Sequence, residues 1–147
     1  LFELAGATYG VRSSEIQQLE MIGPITPVPN APQFVDGVVS VRGQVLPAVN
    51  LRARFGFPRR TADIRSRLVI VRSRDRAVAL IVDSAREFAS IAPEDIQAPP
   101  EGVAGLSGEY LEGIVHLGPR LILILDVEQI IDTPAQATAT SSATADV

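Results

Sequence analysis

Displaced by 76 residues, the chain superposes on itself without a gap over two stretches, and this internal repeat limits the folds open to it. Gly37-Val38-Val39-Ser40-Val41 falls on Gly113-Ile114-Val115-His116-Leu117, and Val45-Leu46-Pro47-Ala48-Val49 on Leu121-Ile122-Leu123-Ile124-Leu125. Asn50-Leu51 falls on Asp126-Val127, and Phe55 on Ile131. Each half therefore runs strand, tight turn, strand, polar cap, helical turn. A fainter echo, needing one gap, sets Tyr9–Ile22 against Ala79–Ile91. The matched Asn/Asp cap and the matched leading Gly separate this pattern from the chance likeness of two apolar hairpins. Two copies of a five-stranded unit account for the 147 residues. A unit of about 60 residues buries too little surface to stand alone, so the copies should pack on each other. Closing each into a small barrel removes exposed strand edges. The expected class is all-β: two five-stranded barrels packed together, with short helices.

The local signals agree. Val38–Val41 and Val45–Val49 are β-branched runs joined through Arg42-Gly43, where a Gly supplies the positive φ of a tight hairpin. Leu68–Val71 and Ala77–Val82 flank the polar segment Arg72–Arg76, and Ile114–Leu117 and Leu121–Leu125 flank Gly118-Pro119-Arg120. Leu1–Leu4, Ala7–Val11, Gln17–Ile22 and Phe88–Ile91 are further candidate strands. Asn50 is placed to cap a helical turn over Leu51–Phe55, and Asp126 one over Val127–Ile131. A third turn starts at Pro93, whose neighbours Glu94 and Asp95 suit a helix N-terminus. Pro47 inside a strand predicts an edge or a bulge, because it has no N–H for a ladder. The stretch from Thr133 to Val147 is rich in Ala, Thr and Ser with one charge, and is expected to be disordered. The longest apolar stretch, Leu121–Leu125, is far short of the roughly 20 residues a membrane helix needs. Leu1 opens the chain inside an expected strand, so the sequence reads as a piece of a longer polypeptide.

Chemistry is scarce. The chain has no Cys, which removes disulfides, thiolate zinc sites and a Cys nucleophile, and it has one His. His116 lies between Val115 and Leu117 with Ser40 as its counterpart, and reads as an outward polar slot with no triad spacing around it. Asp83 and Asp126 end strands, where acids cap. Neither a P-loop nor a dinucleotide fingerprint is present, and Glu94-Asp95 lacks the alternating acids of a calcium loop. Seventeen acids against 13 bases give a net charge of −4, the wrong sign for a dedicated nucleic-acid binder. Yet every base is Arg, and nine of them lie between Arg52 and Arg76, opposed only by Asp63 and Asp75. That stretch carries +7 and the rest −11. It is read as Arg usage plus a solvated rim, with partner contact left open. It lacks the interleaved aromatics that base stacking uses. By elimination the chain reads as a binding module.

The run Val28-Pro29-Asn30-Ala31-Pro32-Gln33-Phe34-Val35-Asp36-Gly37-Val38-Val39-Ser40-Val41-Arg42-Gly43-Gln44-Val45-Leu46-Pro47-Ala48-Val49-Asn50-Leu51-Arg52 closely resembles the signature of the CheW family. Tyr9-Gly10-Val11, Glu15-Ile16-Gln17-Gln18-Leu19, Ile81-Val82-Asp83 and Glu109-Tyr110-Leu111-Glu112-Gly113 are similar to that family too, and Leu121–Asp126 closes the match. Asn50 stands where many members have Asp. The resemblance covers about residues 1–132 and stops at the tail, 133–147. It implies SH3-like five-stranded barrels: a first at about residues 7–67, and a second at about 68–132 that borrows the strand at residues 1–4. It also implies a non-enzymatic cytoplasmic adaptor, without cofactor or metal. Such an adaptor joins chemoreceptors to a CheA-type histidine kinase at arrays beneath the membrane, without inserting into it. One barrel face would pair with the kinase's homologous regulatory domain. A groove between the barrels would take the tip of the receptor's helical hairpin.

The resemblance places receptor- or kinase-binding positions at Ile16, Leu19, Gly37, Val38 and Arg42. Ile16 and Leu19 would equally serve as core in an isolated barrel. Arg42 either donates across an interface or holds its hairpin in place, and Gly37 and Gly43 fit backbone geometry better than contact. The same domain as the regulatory end of a CheA-type kinase, or the front of a CheV-type fusion, is the nearest alternative. A nucleic-acid-binding barrel using the +7 stretch is a more distant one.

Overall fold

The computed structural model describes residues 1–85, 90–99 and 110–131; the tail and Phe88-Ala89 of one expected strand lie outside them. Alternating and β-branched apolar runs become ten strands. They are β1 (Phe2–Leu4), β2 (Ala7–Gly10), β3 (Ile16–Met21), β4 (Val35–Val41), β5 (Gln44–Asn50), β6 (Arg67–Ser73), β7 (Arg76–Val82), β8 (Ser84–Ala85), β9 (Leu111–Leu117) and β10 (Arg120–Leu125). Two short helices, α1 (Leu51–Arg54) and α2 (Val127–Ile131), follow β5 and β10. Both expected caps form. Asn50 Oδ1 accepts the Ala53 N–H at 3.2 Å, and Asp126 Oδ1 accepts that of Gln129 at 3.3 Å. Ser13–Glu15 and Pro93–Asp95 form single 3₁₀ turns. At the β4–β5 turn Arg42 (φ 50°) and Gly43 (φ 83°) are both left-handed, the geometry that matches strand twist in a two-residue hairpin.

The strands form two sheets, β3-β6-β7-β5-β4 and β8-β1-β2-β10-β9. Read from the same end, the orders correspond position by position. In each, an antiparallel hairpin (β6–β7 or β1–β2) packs parallel to the first sheet's β5 or the second's β10. The seam expected near residue 67 is therefore not the one the strands observe. The hairpin β6–β7 completes the sheet of β3, β4 and β5, while β2 leaves that half and joins β1, β8, β9 and β10. The two sequence repeats exchange their leading hairpins. The loan of Phe2–Leu4 to the second sheet follows the expected division, as do β3, β4 and β5 in the first sheet and β8, β9 and β10 in the second; β2, β6 and β7 depart from it. Pairing overrides sequence order here because Leu68–Val71 is buried on both faces. Such a strand fits the interior of either sheet.

Each sheet closes through the segment that follows its outer strand. The chain leaving β3 bridges Thr26 to Val38 of β4, with reciprocal N–H···O bonds of 2.9 and 2.8 Å. In the same way Gln97 bridges Ile114 of β9, with both bonds at 2.8 Å. Of the two placements expected from Pro47, an edge or a bulge, the edge does not form: β5 is an interior strand, and the bulge of the β4–β5 pair lies on β4 between Val35 and Gly37, opposite Val49 and Ala48. The parallel ladder of β5 with β7 begins only at Ala48, so the missing N–H costs no bond of that ladder.

The largest core lies between the sheets and draws from both: Tyr9, Leu51, Phe55, Leu80, Leu125 and Ile130 are among its members. Smaller cores fill the other faces, around Leu46, Leu68 and Ile70 in the first sheet and Val115 and Ile122 in the second. Arg54 rivets the halves. Its guanidinium sits 4.6 Å from the Phe34 ring and 4.7 Å from the Tyr110 ring, residues themselves 76 apart. It donates to the Tyr110 hydroxyl and, at 3.1 Å, to the carbonyls of Gln129 and Ile130 that end α2.

One buried polar atom in the shared core is unpaired: the Tyr9 hydroxyl has no hydrogen-bond partner among the described residues. Its ring stacks on Phe2 with centroids 5.8 Å apart. Phe at this position keeps the stack and removes the desolvated hydroxyl. Tyr9→Phe should raise the unfolding free energy by about 1 kcal/mol, read as a higher urea midpoint at unchanged slope.

Candidate functional site

The β3 register decides which side chains reach the space between the sheets. Ile16 pairs with Val71 and Leu19 with Val69, both core residues of the shared face, and a bulge between Ile16 and Gln18 keeps the two on one side. Ile16 is half-buried, while Leu19 retains 40% exposure. Ile16 forms part of a groove of about 290 Å³ in which β3 faces the second sheet. Its floor is Leu1, Val11, Ile16 and Ile124, and its far wall is Ile91, Pro93 and Ile96. Leu19 lines a narrow extension with Leu1, Phe2 and Ala85. The groove is of mixed character: Leu1, Val11, Ile16, Ile91, Ile96 and Ile124 supply its apolar part, and the consecutive residues Arg12, Ser13 and Ser14 also line it. Arg12 is held by Glu112 of β9 through bonds of 2.9 Å from Nε and 2.7 Å from Nη2. Close by, burial pushes the Glu15 carboxyl up, and the charge of Glu112 adds to the effect.

The other expected positions separate from this groove. Gly37 is buried. A Cβ there would lie 2.1 Å from the Thr26 carbonyl oxygen, so its role is to admit the closing segment and it offers no surface for contact. Val38 is half-buried, with its N–H and C=O both given to Thr26. Arg42 stands at the β4–β5 tip with its side chain 75% exposed and donates from Nε to Glu20 Oε2 at 3.0 Å. Glu20 also accepts from Gln18 at 2.6 Å. The pair ties the β4–β5 turn to β3, the strand at the far side of the first sheet's order.

The arginine-rich stretch is drawn into the molecule's own framework. Arg52 makes a bidentate pair with Asp83 at 2.9 and 2.7 Å. Arg59 meets Asp36 at 2.6 Å, and Arg74 meets Glu128 at 2.6 Å. Apart from Asp63, which meets Arg60, the acids that answer these arginines lie outside the +7 stretch, so folding offsets part of its linear charge excess. This weakens the nucleic-acid reading. His116 is exposed on β9 opposite Leu121. Among the described residues no group of three or more His, Asp or Glu side chains is placed to hold a metal ion. No described helix is long and apolar enough to cross a membrane.

The far wall of the groove was absent from the expectations. Ile91 ended a candidate strand, and Ile96 followed the turn at Pro93. Their only signal was apolar residues in a segment otherwise punctuated by Pro and acids.

A family model described as CheW-like domain matches residues 1–135. The chain is 29% identical over 139 residues to the chemotaxis protein CheW of Bacillus subtilis, covering 95% of this chain and 89% of that one. To the chemotaxis protein CheW of Thermotoga maritima it is 31% identical over 121 residues, covering 80% and 78%. The crystal structure of the scaffolding protein TtCheW from Thermoanaerobacter tengcongensis superposes with a TM-score of 0.82 at 28% identity, covering 90% of this chain and 86% of that one.

Proposed function

The chain belongs to the CheW family, and from that premise we propose that it is a chemosensory adaptor coupling chemoreceptors to a CheA-type histidine kinase in the cytoplasm. It works by binding and carries out no reaction of its own. The observation that carries the reading is the apolar groove of Val11, Ile16 and Ile124 facing Ile91 and Ile96. An amphipathic helical hairpin, such as a receptor's cytoplasmic tip, buries its apolar stripe in such a groove. The kinase's regulatory domain docks on a barrel face, and the exposed Arg42 at its hairpin tip contributes to one of the two contacts. The shared core and the Arg54 rivet make the two sheets one body. Receptor and kinase bound to that body are coupled through their effects on its position and order.

Co-sedimentation with receptor cytoplasmic fragment and kinase tests this. Leu19→Asp places a charge in the narrow extension at a position exposed enough to tolerate it. Receptor affinity should fall about tenfold or more while kinase affinity holds. A folded Leu19→Asp or Ile16→Asp chain that enters the ternary complex like the parent overturns the groove assignment. Arg42→Ala removes one exposed ion pair and should shift stability by under about 1 kcal/mol. Both affinities unchanged in that variant would take Arg42 off the interface.

A further inference from the structure

We infer that Arg12 is a specificity-determining residue of the groove, receiving a carboxylate that flanks the apolar stripe of the docked hairpin. This rests on the groove being the receptor site. Arg12 is the only ionisable side chain among those lining the groove. It lies at the end of the chain leaving β2, where the backbone turns into the 3₁₀ turn Ser13–Glu15. A guanidinium presents five N–H donors in a rigid fork. Glu112 takes the edge formed by Nε and Nη2, with both carboxylate oxygens within 2.9 Å. Nη1, with two N–H donors, has no partner among the described residues. Glu112 therefore acts as a positioning residue: it fixes the plane of the fork and leaves one edge free.

The hydrogen bond to Glu112 raises the Arg12 pKa further, so the group stays cationic wherever the protein is folded. The Arg12 side chain is 54% exposed, that of Glu112 34%, and Arg12 lines the groove, so solvent and a docked segment both reach the guanidinium. An apolar stripe alone would bind in several registers along an apolar trough. One charge-assisted bond from Arg12 selects among them and among hairpins. Because Glu112 already answers the guanidinium and Glu15 lies near it, the selection rests on the geometry of that bond and not on net charge at the groove mouth.

The test is a charge-swap cycle in titration calorimetry, using the whole chain and a receptor cytoplasmic hairpin from the same organism. Each acid flanking the hairpin's apolar stripe is changed in turn to Gln and to Lys. Against the parent chain, one acid→Gln change should weaken binding about tenfold. Against Arg12→Gln the same change should cost less than about twofold, since the interaction is already gone. Arg12→Glu should bind the native hairpin poorly and recover with the acid→Lys hairpin. Glu112→Gln should weaken binding a few-fold but keep the preference for the acid. Arg12→Gln binding the native hairpin within twofold of the parent, or no acid showing coupling to Arg12, overturns the inference while the groove stands. No binding of the native hairpin by the parent chain overturns the groove reading instead, and the inference falls with it. A melt of Arg12→Gln confirms folding, as expected for a half-exposed side chain.

Discussion

Gly37→Ala should lose about 4 kcal/mol of unfolding free energy, the largest effect expected of a methyl group added at any glycine among the described residues. Two costs add. The backbone at Gly37 has φ 151°, which L side chains rarely adopt. The added Cβ would also sit 2.1 Å from the Thr26 oxygen and 2.7 Å from its carbonyl carbon. Both are backbone atoms, and neither moves aside without breaking the reciprocal Thr26–Val38 bonds that close the first sheet. Gly43→Ala is the control. Its φ is 83° but nothing lies within 4 Å of the new methyl, so it carries conformational cost alone, about 1 kcal/mol. Gly113, 76 residues on, meets a side-chain methyl of Ile96 at 2.4 Å and the Gln97 oxygen at 2.9 Å, and its φ is not left-handed. Its alanine variant should fall between the two. Urea midpoints in the order Gly43→Ala, Gly113→Ala, Gly37→Ala, from highest to lowest, are the expected result. A Gly37→Ala chain as stable as Gly43→Ala would mean that the closing bridge is not held in solution.

That comparison also marks what could be read from residues alone. The leading glycines of the two repeats were visible as a match, and so were the Asn50 and Asp126 caps, because each serves a local requirement that its neighbours in sequence express. Hairpin turns such as Arg42-Gly43 were legible for the same reason. Which strands neighbour one another was not. Val69 and Val71 face the core between the sheets while Leu68 and Ile70 face the first sheet's own core. A strand buried on both faces reads as a plain apolar run that either sheet can accept. The exchange of leading hairpins follows from that ambiguity. The groove was half legible: Ile16 and Leu19 followed from a family likeness, whereas Ile91, Pro93 and Ile96 enter through a closing segment whose register depends on the Gln97–Ile114 bridge. The arginines showed the limit of linear charge, since Asp36, Asp83 and Glu128 meet them only after folding.

The crossing between the sheets rests on one of those arginines, and its loss is the second large effect. Asp83 follows β7 in the first sheet and precedes β8 in the second. Its carboxylate takes two bonds from Arg52 of α1 and one, at 2.9 Å, from the Ala5 N–H in the β1–β2 turn. Its own N–H donates to the Glu3 carbonyl at 3.1 Å. Arg52 and Asp83 expose only 16% and 17% of their side chains, so Asp83→Ala takes both carboxylate bonds from a largely desolvated guanidinium, leaving it the Pro58 carbonyl, and gives the exposed Ala5 N–H to water. The expected loss is about 3 kcal/mol. In a double-mutant cycle, Arg52→Ala added to Asp83→Ala should cost far less than it does alone.

The pH dependence follows from the same geometry. Burial pushes the Asp83 carboxyl up, but the Arg52 guanidinium and the Ala5 N–H outweigh it and hold the group below the ordinary Asp range. A carboxyl depressed in the folded state binds its proton more readily when unfolded. Its contribution is therefore complete above the unfolded value, about 3.9, and drains away as pH falls through the lower folded value. The parent and Asp83→Asn should differ most near neutrality and converge in acid, below both values. Other carboxyls titrate in the same window, so the parent-minus-variant difference in unfolding free energy is the quantity to follow from pH 7 downward. A difference that stays constant to the acid limit would show that the carboxylate's charge contributes nothing to holding the sheets together.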